Sequence, residues 1–544
     1  MMKKIIFTTI TISLLFIGGC ADMDDITPQG GTILESQLKE TIAADPSRAD
    51  AIFNGMYTKT GEPLSVYGES RSRPDDFGFI MSDYSNDIEA ADLVMPNNNY
   101  NWFSVCGELT SRNANYANPY IRYACCYNEI AASNDVLRTY PLDSDNKEIK
   151  YKIAQAYVMR AYSYLRLVPY YQFNYTIAAD KPCVPIVTLE TTDFTNNPRA
   201  SVADVYNLIL TDLTTAIDLL SGYVRPDKSK IDQQVAYGLR ARTYLYMGKW
   251  VEAIADAEKA AQGYSPATIE ELSKPAFMSI EEHNWIWGYD MTTNLANISP
   301  YATSSSWIRS FSSNAYTPYC QTYARCNNIL YDKIPDTDVR KGWWVDENLY
   351  SPLLDGLTWE DLKGQEIASG KILDVKEPFL TYTNVKFGTN PIGTTVNDED
   401  WPYMRVEEMI LIQIEGYAKS GNTGKAEQML NDFIRTYRDP SYNCTLTGRT
   451  LDNEIWFQRR VELWGEGFAN PDTRRLNKPL VRFIDAKTSI VPDAFRFNMT
   501  ADDGWWLLRF TTSEMNTNLA IVDNTGGSLP VQDQNPQLRD GVTD

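Results

Sequence analysis

The chain has 544 residues, enough to bury a large core, and its 43% hydrophobic and 22% charged residues sit near the globular average, which excludes a disordered chain and a multi-span membrane protein. A formal net charge of −21 repels phosphate backbones and argues against nucleic acid as a partner. A single histidine, His283, leaves little room for serine hydrolase triads, most zinc sites or neutral-pH acid/base chemistry, whereas 34 Tyr and 13 Trp supply flat rings suited to stacking on amphipathic ligands.

In chain order, Lys3 and Lys4 precede an apolar run over 5–17 that is too short to cross a bilayer and reads as the core of a signal peptide spanning 1–19. The run ends in Ile17-Gly18-Gly19-Cys20, which resembles the bacterial lipobox, so Cys20 is expected to be diacylated and to become the mature N-terminus. Each buried acyl CH₂ contributes about 0.8 kcal/mol, and two or three chains on one Cys hold a protein on a membrane without a spanning helix. Asp22, Asp24 and Asp25 then open a linker over 20–45, and an acidic run there resembles a signal for export to the outer face of the outer membrane. Seven cysteines remain after Cys20, so at least one is unpaired; with no C-x-x-C pair, they read mostly as small core residues.

Apolar residues recur at helical spacing over about 118–140, 147–171, 201–222, 231–247, 249–262, 402–420, 423–437 and 452–468. Ser201 with Asp204 makes an acidic capping box, Asp143 to Asn146 reads as a helix cap rather than a calcium loop, and Gly421 stops a helix. Tyr244, Gly248, Trp250, Ala253 and Ala260 keep the spacing of a tetratricopeptide helix pair, and Tyr417, Gly421 and Ala426 repeat its offsets. Two stretches poor in periodicity interrupt these pairs. One, about 61–102, carries Tyr67, Arg73, Asp75, Tyr84, Asn99, Tyr100 and Trp102; the other, about 263–401, carries the strand-like Trp285 to Tyr289, then Trp307, Tyr316, Trp343 and Trp344. Binding residues concentrate in loops on rigid scaffolds.

The segment Ile455 to Phe468, with Arg459-Arg460-Val461-Glu462-Leu463 and Gly465-Glu466-Gly467, followed by Asp472 and Arg474-Arg475, is similar to the SusD/RagB family helix of pattern I-x-x-E-R-R-x-E-L-x-x-E-G with a later D-x-x-R, although Gln458 stands where Glu is usual. Met404 to Met409 with Glu415, Asp338-Val339-Arg340, and the helix ending Asn128 to Asn134 resemble further family segments in the expected order. The resemblance implies a mostly α, SusD-like fold: a single body over 46–544 of scattered tetratricopeptide-like helix pairs with long, loop-rich insertions carrying few short strands. It implies that Arg459, Arg460, Glu462 and Glu466 form partly buried ion pairs tying the last helix to the body, a reading preferred over a catalytic carboxylate pair.

The resemblance further implies a surface-exposed, lipid-anchored outer-membrane protein that is not an enzyme, needs no cofactor, and hands a nutrient to a SusC-like TonB-dependent β-barrel. The expected ligand is a glycan; a RagB-like peptide receptor and a surface glycoside hydrolase are the alternatives. From the composition of the two insertions, the expected ligand contacts are Asn99, Tyr100, Trp102, Trp307 and Tyr316, with no metal site.

Overall fold

In the computed structural model, residues 47–98, 100–359, 365–366, 378–444 and 450–544 are described. The leader 1–19, Cys20 and its linker, and Asn99 lie outside the described residues. The chain divides into two units, 1–52 and 53–544, and of the first only 47–52 is described.

Among the described residues, helices of seven or more residues run α1 Ser47–Thr58, α2 Gly78–Glu89, α3 Ala117–Thr139, α4 Lys147–Tyr171, α5 Val202–Leu219, α6 Gln233–Met247, α7 Trp250–Ala261, α8 Val406–Lys419, α9 Thr423–Tyr437, α10 Leu451–Glu462 and α11 Ala469–Arg475. Caps fix their ends. Asn146 Oδ1 accepts from the Glu148 amide at 2.9 Å, and Ser201 Oγ accepts from the Asp204 amide at 3.0 Å while donating to its carboxylate at 2.6 Å. None of the described helices is long and apolar enough to cross a membrane.

From α3 to α10 each helix packs on the next, and α7 packs on α8 although about 140 residues separate them in sequence. The insertion is therefore looped out of a continuous helical stack. Gly248 ends α6 at φ +71°, its amide and that of Lys249 bonding back to Leu245 and Tyr244, and it turns the chain into α7. Gly416 lets α8 approach α7 closely: a Cβ there would lie 2.6 Å from Ile254 Cγ1. Ala253, Ala260 and Ala426 are fully buried, as the repeat requires. Gly248→Val and Ala253→Leu should each destabilise the protein by about 1 to 3 kcal/mol, the first by forcing a β-branched residue into the left-handed region and the second by overfilling a closed contact. Unchanged denaturation midpoints for both would remove the tetratricopeptide-like account.

Three elements differ from the sequence reading, the first being α10, which ends at Glu462 rather than Phe468 because the chain then turns through Gly465 and Gly467 at φ +83° and +89°. Residues 402–405 are not the start of α8. Trp401–Arg405 is a fully buried strand pairing antiparallel with Trp285–Tyr289; Trp401 and Tyr403 favour that course, and Pro402 is tolerated because a two-stranded pair leaves each strand an edge. The stretch 61–102 is not irregular throughout, for α2 lies within it with every residue buried. A helix covered on all sides needs no apolar stripe, so it shows no period.

The cations and carboxylates of the family-like segments form a network deeper than the partly buried pairs expected. Glu462 takes Arg438 at 2.7 Å, Arg340 at 3.3 Å and Arg405 at 3.3 Å, while Glu466 takes Arg405 at 2.8 Å and Lys386 at 2.7 Å. Burial alone would raise the Glu462 carboxyl, but the three guanidinium groups overcome it and hold it well below the usual carboxylate range. Arg459 pairs with Asp472 at 2.9 Å, and Arg460 with Asp92 and Asp540 at 2.6 Å each, joining α10 to residues far along the chain. Glu462 and Glu466 are thus committed to cations inside the body. The cysteines Cys106, Cys125, Cys126, Cys183 and Cys326 are buried free thiols, Cys444 is a partly buried one, and Cys320 is partly buried.

Candidate functional site

Loops from the two insertions meet at one surface. Asn101 shapes the first, donating to the Pro96 carbonyl at 2.6 Å and accepting from the Phe103 amide at 3.0 Å. Asn98 Nδ2 donates to the Cys320 carbonyl at 3.0 Å and so fastens this loop to the second. Trp307 joins them from beneath. Its indole N–H donates to the Pro74 carbonyl at 2.7 Å, its own carbonyl accepts from the Tyr84 hydroxyl at 2.9 Å, and its ring meets Phe103 edge to face at 4.9 Å.

On that support stands Tyr316, stacked on Trp307 with ring centroids 4.5 Å apart and planes 11° apart. Tyr301 meets Tyr316 edge to face at 5.9 Å, and its hydroxyl donates to Asn314 Oδ1 at 3.0 Å. Burial raises the Tyr316 hydroxyl pKa, offset in part by a hydrogen bond from Trp102. Arg73 completes the surface: its guanidinium lies 4.8 Å from the Trp102 ring and 5.6 Å from that of Tyr67, and it is clamped by Asp75 through two bonds of 2.9 Å. Burial pushes the Asp75 carboxyl up, and Arg73 opposes it.

The geometry gathers three of the expected residues and reassigns one. Tyr100 is the outermost at 63% exposure, Trp102 is 37% exposed, and Tyr316 is half-buried. Trp307 has no exposed surface, so it cannot present a face to a ligand; Phe103, Tyr316 and Pro74 enclose it, and it acts by propping Tyr316. Tyr67, Arg73 and Tyr301 belong to the surface and were not singled out among the expected contacts, because only the folding of each insertion on itself sets Arg73 beside Tyr67 and Trp102 and Tyr301 beside Tyr316. Rings at several inclinations around a clamped guanidinium, with amide groups of Asn98 and Asn314 at hand, suit a ligand with flat apolar faces and hydroxyl edges. Among the described residues, no group of three or more His, Cys, Asp or Glu side chains could hold a metal ion.

Residues 78–245 match a SusD-like family model described as "Starch-binding associating with outer membrane", and residues 373–526 match the SusD/RagB model, described as "SusD family". No curated protein matches the chain. Among solved structures, a SusD-like carbohydrate binding protein from Bacteroides vulgatus is 23% identical with a TM-score of 0.68, covering 87% of this chain and 97% of its own. A SusD superfamily protein from Bacteroides thetaiotaomicron is 20% identical with a TM-score of 0.66, covering 88% of this chain and 99% of its own. A protein described as a laminarin binding SusD-like protein is 18% identical with a TM-score of 0.61, with coverages of 88% and 99%. At such identities the likeness to these structures is one of fold.

Proposed function

We propose, because this chain belongs to the SusD/RagB family, that it binds an oligosaccharide or polysaccharide at the surface formed by Tyr67, Arg73, Trp102, Tyr301 and Tyr316, with Tyr100 at its rim. The observation that carries this reading is the exposed aromatic set itself, held by a buried tryptophan and a clamped arginine rather than by its own loops. Rings fixed before binding lose little freedom on contact, so each stacked sugar contributes nearly its full gain. Two fold relatives described as binding carbohydrate, one of them laminarin, support the choice of glycan over peptide.

In this account the protein is lipid-anchored through Cys20 at the outer membrane, faces the cell surface, and passes its ligand to a SusC-like TonB-dependent barrel. It performs no chemistry on the ligand. Incubating the purified protein with labelled oligosaccharides and with peptides tests the reading: retention of unchanged glycan supports it, turnover points to a hydrolase, and retention of peptide alone points to a peptide receptor. Cys20→Ala, expressed in cells lacking the barrel, should leave the protein soluble after fractionation, since the acyl chains supply its membrane affinity. Outer-membrane recovery of that variant would contradict the anchor.

A further inference from the structure

A cavity of about 220 Å³ lies away from the aromatic surface, between the end of α1, the turn before α6 and the strand Trp285–Tyr289. Its walls are the rings of Tyr57, Trp287, Tyr289 and Tyr403, all nearly or fully buried. Every polar atom on those rings is already engaged. Tyr289 donates to the Thr58 carbonyl at 2.9 Å, Tyr403 to the Thr60 carbonyl at 3.1 Å and Trp287 to the Ser229 carbonyl at 3.2 Å, while the Tyr57 hydroxyl donates to Gln155 and accepts from the Ile231 amide. To an occupant the walls therefore offer apolar ring surface.

Two charges line the same cavity. The Lys230 ammonium sits 4.3 Å from the Tyr57 ring centroid and pairs with no carboxylate among the described residues. Asp290 likewise has neither a cation nor a hydrogen-bond donor on its carboxylate there. They do not form an ion pair with each other, yet they are close enough for Lys230 to draw down the Asp290 carboxyl, which burial and the neighbouring Asp227 raise. Asp227 is itself taken up by the Ser229 amide at 2.8 Å and hydroxyl at 2.5 Å. Asp290 is exposed and Lys230 half-buried, so both charges stand at the mouth of the apolar pocket, and with neither held by an ion pair they suit an occupant carrying both complements.

We propose that this cavity is a binding site for a small zwitterion, a free α-amino acid with an apolar or aromatic side chain. Its carboxylate is held by Lys230, its ammonium by Asp290, and its side chain by the rings of Tyr57, Trp287, Tyr289 and Tyr403. The site is independent of the glycan surface.

Calorimetric titration with L-phenylalanine, 3-phenylpropionate and phenethylamine tests the proposal. The amino acid should bind more tightly than either half-ligand. Lys230→Met and Asp290→Asn should each weaken it by about tenfold or more, as expected for loss of one charged hydrogen bond. Lys230→Met should also abolish the remaining affinity for phenylpropionate, and Asp290→Asn that for phenethylamine. Trp102→Ala should change none of these values. Both substituted side chains reach solvent, and an unchanged denaturation midpoint verifies that each variant is folded. Absence of heat with phenylalanine for the wild type, or equal affinities in wild type and both variants, would overturn the assignment.

Discussion

Glu462→Gln should destabilise the protein by about 3 to 5 kcal/mol, a large share of the roughly 5 to 15 kcal/mol that a typical folded chain possesses. The physical cause is the company the carboxylate keeps. Arg340, Arg405 and Arg438 all reach it, and all four side chains are essentially excluded from water. An amide of the same shape can still accept hydrogen bonds but carries no charge, so three buried guanidinium groups would share only Glu407, Glu466 and Asp338. The network spans α8, the residue that ends α9, and α10, together with the Asp338 to Arg340 turn, so its loss should loosen the helical stack as a unit. Urea denaturation followed by far-ultraviolet circular dichroism measures the effect. Glu271→Gln is the control, because that carboxylate pairs with His283 at a surface where both are nearly half exposed. Its cost should stay below about 1 kcal/mol. Equal midpoints for Glu462→Gln and wild type would show that the buried network does not hold the body together.

Trp307→Ala should have a double effect, on stability and on ligand. Removing a fully buried indole leaves a cavity beside Phe103 and an unpaired carbonyl at Pro74, for a cost of about 3 to 5 kcal/mol. It also removes the ring on which Tyr316 is stacked, so Tyr316 loses its fixed orientation and glycan affinity should fall although Trp307 touches no ligand. Trp307→Phe should restore much of the packing and of the binding while leaving Pro74 without its donor. A Trp307→Ala protein of wild-type stability would contradict the supporting role.

The parts of this fold legible in the sequence are those governed by neighbours a few residues away. The bounds of α4 and α9 follow from periodicity together with Asn146 and Gly421, whose capping and turning roles need only local backbone. The pairing of α6 with α7 was likewise legible, since Gly248, Ala253 and Ala260 act within one hairpin. What escaped depends on distant residues. The helix α2 is polar because Asp83, Asp87 and Glu89 meet Arg166, the amides of Gly467 and Ala469, and the pair Arg112 and Arg122. Nothing near them in sequence says so. The strand at Trp401–Arg405 exists because Trp285–Tyr289 lies beside it, more than a hundred residues earlier.

The same division runs through the candidate site. An aromatic loop at 100–102 was visible from composition, and so was Tyr316, but whether a tryptophan faces solvent or core is decided by what covers it. Trp307 is covered by Phe103 and Tyr316, whereas Trp102 keeps an open face because Arg73 occupies only one side of it. Arg73 and Tyr301 gain meaning only when each insertion has folded on itself, bringing Arg73 to Trp102 and Tyr301 to Tyr316.

We propose that the surface around Arg73 holds the glycan. Affinity electrophoresis of the wild type and of the double variant Trp102→Ala/Tyr316→Ala, through gels cast with neutral soluble polysaccharides including laminarin, tests it directly. Two stacking rings, each worth about 0.5 to 1.5 kcal/mol beyond their buried area, account for about a tenfold loss or more. The account predicts that at least one polysaccharide retards the wild type and that the double variant, with the circular dichroism of the folded protein, runs as it does in an empty gel. A wild type retarded by no glycan, or a double variant retarded as strongly as the wild type, would contradict it.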